Sequence, residues 1–408
     1  MQTLLTRGYS ILLGLFSTII TARFLGTDGR GIYAFITTAA AFTLQFGNLG
    51  LHGSNIFFTG KYPNAFNKLF NNTLLLSLVL GSILGLLTNL YVNEYVLRYC
   101  KYPYLVQCSI LFFIPVSLFN LLAQNLVLGR NDIFAFNFSE FINKTVVITL
   151  FALIIISGTV NAELFFLAYT LSTLISAIFL YTRARKNNIS KIRFNKQIFK
   201  LSLRYGIKAY ISSLFSYAVI RTSMIIVAQK MSMNSVGIYS VSFAIFDVIY
   251  LMVTVFATLI FPRLTSNNDK NFQKKLVYNN VFAVVIFLIF SFFCFLLFGE
   301  NLIFIAFGKQ FVPAANVFFY LMPGLLFLSI NTIFMNYFAA QGLPIVVIYS
   351  PAIALCVLIT SMNLLIEKYG LSAAGISFSL SSFSMFIISI MYLIKINFFK
   401  LYNDTKAI

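Results

Sequence analysis

Tryptophan is absent, histidine occurs once, and acidic residues number only 10 among 408. One imidazole with no paired Cys/His spacing argues against a metal centre. The four cysteines do not make a stapled scaffold: Cys294 and Cys356 lie in apolar stretches, and Cys100 and Cys108 flank a loop. Without tryptophan, tyrosine is left to supply an interfacial aromatic belt. Charged residues make up 10% of the chain against 60% hydrophobic, with a mean hydropathy of +0.89. That is too little polar surface to cover a soluble core of this size. Long hydrophilic segments are missing as well. The largest gaps are 183–204 and the tyrosine-rich 91–104 (Tyr91, Tyr95, Tyr99, Tyr102, Tyr104), which reads as an interfacial segment. Neither has room for the catalytic loop of a polymerase or glycosyltransferase, so no enzyme is expected.

Apolar runs fill the chain instead. Spans are expected near 3–23, 33–57, 69–90, 105–128, 133–157 and 162–182, then 205–227, 236–260, 278–298, 313–339, 345–366 and 371–394. Each is close to the roughly 20 residues that cross a bilayer, and backbone in lipid must bond within its own helix. The fold class is therefore an all-α polytopic membrane protein with about 12 transmembrane helices. The first stretch, Leu4 to Phe24, is too long for a signal-peptide h-region and follows no basic n-region. It reads as the first span. Its start at Met1 leaves almost no leader, the pattern of a start assigned late.

A net charge of +19 would suggest nucleic acid in a soluble chain. Here the cations occupy short gaps between spans, so no nucleic-acid partner is expected. One gap holds Arg183, Arg185, Lys186, Lys191, Arg193, Lys196, Lys200, Arg204 and Lys208. About 19 of the 29 Lys and Arg fall on that side of alternating spans and about seven on the other. The positive-inside rule then places both termini in the cytoplasm, with the basic loops against anionic lipid.

The chain also echoes itself. Ala22-Arg23-Phe24-Leu25-Gly26-Thr27-Asp28-Gly29-Arg30-Gly31-Ile32-Tyr33-Ala34 returns 206 positions later as Ala228 to Ser240, sharing Gly237-Ile238-Tyr239. Asn120 to Gly129 is echoed more weakly by Asn331 to Gly342. Such repeats divide the chain into an amino-terminal lobe of six spans, 1–182, and a carboxy-terminal lobe, 205–394. A basic linker, 183–204, joins them, and 395–408 forms a cytoplasmic tail. Related halves place a substrate pathway at their interface.

Ala22-Arg23-Phe24-Leu25-Gly26 with Gly31-Ile32-Tyr33, and Asn48-Leu49-Gly50-Leu51, resemble the oligosaccharide flippases of polysaccharide biosynthesis. These belong to the multidrug/oligosaccharidyl-lipid/polysaccharide exporter superfamily. The resemblance implies two six-helix lobes around a central cavity in the bacterial inner membrane. It implies transfer of an undecaprenyl-pyrophosphate-linked oligosaccharide between leaflets, for O-antigen of lipopolysaccharide or for capsule. A polysaccharide polymerase and a chain-length regulator are the partners such a flippase works beside. The chain departs from the pattern in a shorter amino terminus, and it lacks the two extra helices of lipid II flippases.

Ionisable residues inside spans are the candidates for moving a pyrophosphate through hydrocarbon. Arg221 and Asp247, on neighbouring spans at similar depth, are spaced to pair; their repeat counterparts, Leu15 and Ala41, are apolar. Glu140 and Lys144 stand i, i+4 on one span, a spacing that lets them pair. Arg7, His52, Lys144, Arg23 and Arg221 are the candidate substrate contacts. Asp247 and Glu140 are the candidates for a coupling proton or sodium ion, with no other cofactor expected. Gln45, Asn48, Asn120, Gln124, Asn125, Asn331 and Asn336 add amides that glue helices or meet sugar. Two competitors stand beside this reading. A cation-coupled drug exporter would carry more acid in its spans, and a membrane polymerase would need a large outer loop.

Overall fold

The computed structural model describes residues 2–186, 191–266 and 269–398, with side chains for all of these except 2–7, 11, 208, 258, 259, 262 and 266. Among the described residues there are twelve α-helices and no strand. They are α1 (Gln2–Gly47), α2 (Leu51–Lys61), α3 (Phe66–Tyr95), α4 (Pro103–Gly129), α5 (Ile133–Ile156) and α6 (Ala162–Arg185). The remainder are α7 (Lys196–Lys230), α8 (Met233–Ser266), α9 (Lys270–Phe307), α10 (Ala314–Ala340), α11 (Val346–Tyr369) and α12 (Ser372–Lys395). Among the described residues, eleven helices are long and apolar enough to cross a membrane.

The expected dozen agrees with this, because α1 is two helices joined at a kink and holds the first two spans. α1 holds 46 residues, enough for two spans of roughly 20 each. It is broken at Gly26, whose φ of 66° and ψ of −173° only glycine adopts without strain. The turn chemistry of residues 26–31 suggests a loop, yet helix continues on both sides of one backbone torsion. The basic linker is also shorter than expected, because α7 begins at Lys196.

Two compact units emerge: the described residues of 1–214 with 227–240, and those of 215–226 with 241–398. In the first, α4 packs against α2, α3 and α6. Its core gathers Phe66, Phe70, Phe119, Leu126 and Leu180. Asn55 donates to Thr73 Oγ1 and to the Leu122 carbonyl, tying α2 to α3 and α4. Asp132 caps α5 by accepting from the Ala135 N–H and pairs with Arg183 at 2.9 Å.

In the second unit α10 packs against α9 and α12, and α11 against α12. Hydroxyls hold these helices where hydrocarbon gives no driving force for association. Ser350 donates to the Met385 carbonyl and Ser381 to the Ala354 carbonyl. Beside Pro323, Ser379 accepts from the Gly324 N–H and donates to the Tyr320 carbonyl. It thus bridges an i→i−4 step of α10 and satisfies both backbone groups. Phe290 and Leu297 of α9 are 67% and 68% exposed, as lipid-facing side chains are.

Both echoes in the sequence have structural counterparts. Asn120 of α4 accepts from Ser176 of α6 at 3.1 Å, and Asn331 of α10 accepts from Ser389 of α12 at 2.5 Å. Within the first unit Gly31 and Gly237 meet reciprocally. A Cβ on Gly31 would overlap the Met233 carbonyl oxygen, and one on Gly237 would overlap that of Thr27. Residues 27 and 233 are themselves 206 apart, so the contact is symmetric in the repeat.

Candidate functional site

A cavity of about 260 Å³ opens inside the first unit, bounded by α1, α4, α5 and α6. Its polar lining includes Asn120, Gln124, Glu140, Asn143, Lys144 and Tyr169. The amides are held: Gln124 donates to Ser139 Oγ and Asn143 to Thr173 Oγ1, each at 3.1 Å. The charges are not. Glu140 and Lys144 make no ion pair within 4.0 Å and no hydrogen bond among the described residues. Both side chains line the cavity, near enough for the Glu140 carboxylate and the Lys144 ammonium to interact through space. A carboxylate and an ammonium in a membrane-spanning region are costly, and such groups mark binding or ion pathways.

In the second unit Arg221 and Asp247 do form the expected ion pair, Nη2 to Oδ2 at 3.0 Å. The guanidinium also lies 4.9 Å from the Phe243 ring centroid and hydrogen-bonds Tyr217. The Arg221 and Asp247 side chains are 28% and 41% exposed.

His52 is half-buried and donates from Nδ1 to Asn48 Oδ1 at 2.8 Å. The same oxygen accepts from the Gly50 N–H at 3.0 Å. Asn48 thereby stabilises the break between α1 and α2, where Gly50 has φ 75° and its Cα faces the Gly206 carbonyl. Arg23 is exposed just before the Gly26 kink. The side chain of Arg7 lies outside the described residues. Of the expected amides, Gln45 donates to Ser213 Oγ, while Asn125 and Asn336 bond carbonyls one turn back on their own helices.

Arg30 is absent from the expected set, having been assigned to a loop. It is only 8% exposed. Subtracting the repeat offset finds it, since Arg30 corresponds to Val236 just as Arg221 corresponds to Leu15.

The polysaccharide biosynthesis protein family matches residues 20–316. The chain belongs to that family. No curated protein matches this polysaccharide biosynthesis protein, but solved structures do. The lipid II flippase MurJ in an inward closed conformation superposes with a TM-score of 0.78 at 15% identity, covering 97% of this chain and 88% of that one. An inward-facing multidrug resistance MATE transporter of the MOP superfamily gives 0.72 at 13% identity, covering 98% and 96%. An outward-facing MATE transporter gives 0.66 at 12%, covering 97% and 94%. The fold is the one these flippase and transporter structures share, and the protein is a multi-pass membrane protein.

Proposed function

We propose that this protein is a flippase for an undecaprenyl-pyrophosphate-linked oligosaccharide repeat unit, serving O-antigen or capsule synthesis in the bacterial inner membrane. It works by alternating access between two six-helix lobes, 1–182 and 205–394, around a central cavity, with both termini cytoplasmic. Arg221 and Arg7 attract the pyrophosphate, and His52, Lys144 and Arg23 contact the substrate along its path. Asp247 or Glu140 answers a coupling proton or sodium ion. A polysaccharide polymerase and a chain-length regulator act on what it delivers.

The observation that carries this reading is the polar cavity lined by Lys144 and Glu140, which make no ion pair within 4.0 Å and no hydrogen bond among the described residues, in a chain that belongs to a polysaccharide biosynthesis family. Such a chamber hydrates a polar head group while a polyprenyl tail remains in lipid. A deletion strain is expected to accumulate lipid-linked repeat units on the inner leaflet, and the wild-type gene to clear them. Normal surface polymer in that strain would sink the proposal. The likeness to multidrug transporters and the acid Glu140 favour a second reading, cation-coupled export of small molecules. Drug resistance conferred in a sensitised strain, without any change in surface polymer, would select it.

A further inference from the structure

Arg30 presents a problem that packing does not solve. Its guanidinium is more than nine-tenths buried, and no carboxylate among the described residues pairs with it. Nε donates to Ser240 Oγ at 3.1 Å and Nη1 to Thr21 Oγ1 at 2.7 Å. Those hydroxyls give their own protons to the carbonyls of Gly237 and of Ser17 and Thr18. The Tyr33 ring lies 5.7 Å from the guanidinium carbon. The remaining guanidinium N–H groups, both on Nη2 included, have no acceptor among the described residues. A buried charge held by two neutral oxygens is expensive to keep.

The cost is not demanded by the reciprocal glycine contact next to it. At the repeat-related position the same contact is flanked by Val236, fully buried and apolar. Position 30 therefore tolerates a hydrocarbon side chain in the packing sense, and the charge answers some other need. One of its partners, Ser240, belongs to α8 across that contact. When Gly31 and Gly237 part, the guanidinium loses Ser240 and turns its free fork toward whatever enters.

Resting on the flippase reading, we propose that Arg30 is a second-stage ligand for the substrate's phosphate groups, sheathed by Ser240 and Thr21 while the α1–α8 contact is closed and released to a phosphate oxygen when it opens. A planar guanidinium with unused donors binds phosphate bidentately. Because that contact lies at the span ends assigned to the outer face, Arg30 receives the head group late in the cycle.

The test uses the full chain purified in detergent, with farnesyl pyrophosphate, inorganic pyrophosphate and farnesol as calorimetric probes. Wild type is expected to bind farnesyl pyrophosphate far better than farnesol. Arg30→Gln should weaken farnesyl pyrophosphate about 10- to 100-fold, the scale of a lost charge-assisted hydrogen bond, and leave farnesol unchanged. Arg30→Lys should fall between. Ser240→Ala should bind the pyrophosphate as tightly as wild type or tighter, because a competing acceptor is gone. Binding by Arg30→Gln within twofold of wild type overturns the inference, as does a Ser240→Ala protein weakened as much as Arg30→Gln. If Arg30→Gln does not fold, the Lys and Ala variants decide alone. A wild type that cannot tell pyrophosphate from farnesol overturns the lipid-linked reading and this inference together. Equal affinity for inorganic and farnesyl pyrophosphate upholds the anion site and overturns only its lipid source.

Discussion

Asp247 accepts a hydrogen bond from Arg221 at 3.0 Å, and the pair has no equivalent in the first copy of the repeat, where Leu15 and Ala41 stand. A pair needed only to join two neighbouring helices would be as useful in one copy as in the other. Arg221→Lys is therefore expected to retain more export than Arg221→Ala, which should fall about tenfold or more, the worth of one charge-assisted hydrogen bond. Export of labelled lipid-linked sugar in membrane vesicles measures this. Equal export by all three forms would remove Arg221 from the mechanism.

Glu140 and Lys144 give a different signature, since neither has an ion pair or hydrogen bond among the described residues. Replacing an unsatisfied charge with a neutral side chain of similar size removes a cost, so Glu140→Gln and Lys144→Met should unfold at the same temperature as wild type or higher. Export should nonetheless drop. Thermal unfolding of the purified proteins beside the vesicle assay separates the two effects. A lowered melting temperature in both variants would mark these charges as structural.

Gly31→Ala and Gly237→Ala should each destabilise the protein by about 1–3 kcal/mol, the usual cost of overpacking, because the added methyl meets backbone that cannot yield. The double variant should cost less than the sum, since both methyls disrupt one contact. Gly53→Ala is the control: nothing lies within 4 Å of its Cβ position, and it should stay within about 0.5 kcal/mol of wild type. Strictly additive losses would show that the two glycines serve separate contacts.

Between α3 and α4, burial and then the nearby Glu163 carboxylate push the Cys100 thiol up to about 12. The reactive thiolate is thus scarce between pH 7 and 9, and labelling by a membrane-impermeant maleimide should be negligible there. It should rise only as pH approaches the shifted value. Tyr102→Cys, at a 46% exposed position on the same segment, should label readily at pH 7.5. Rapid labelling of Cys100 at that pH would contradict the burial described here.

Span existence is legible in the sequence wherever a polar turn separates two apolar runs. The expectation 133–157 meets α5 at Ile133–Ile156, and 371–394 meets α12 at Ser372–Lys395. It is less legible where composition and backbone disagree. Lys196 to Arg204 reads as linker because it is basic, yet it forms the first turns of α7, with Ser202 buried while Lys200 and Arg204 are exposed. Charge reports contact with water; it does not report the end of a helix. The Arg221–Asp247 pair follows from depth and adjacency. The cavity beside Glu140 and Lys144 does not, because i, i+4 spacing permits a bond without requiring one and says nothing of the space around it. Arg30 escapes notice since a lone cation among glycines looks like a turn, and only its valine counterpart betrays it.

In the meeting of Gly31 with Gly237 each residue touches its counterpart's neighbour, Met233 on one side and Thr27 on the other. Mutual contacts of that kind are what a two-fold axis between identical subunits produces.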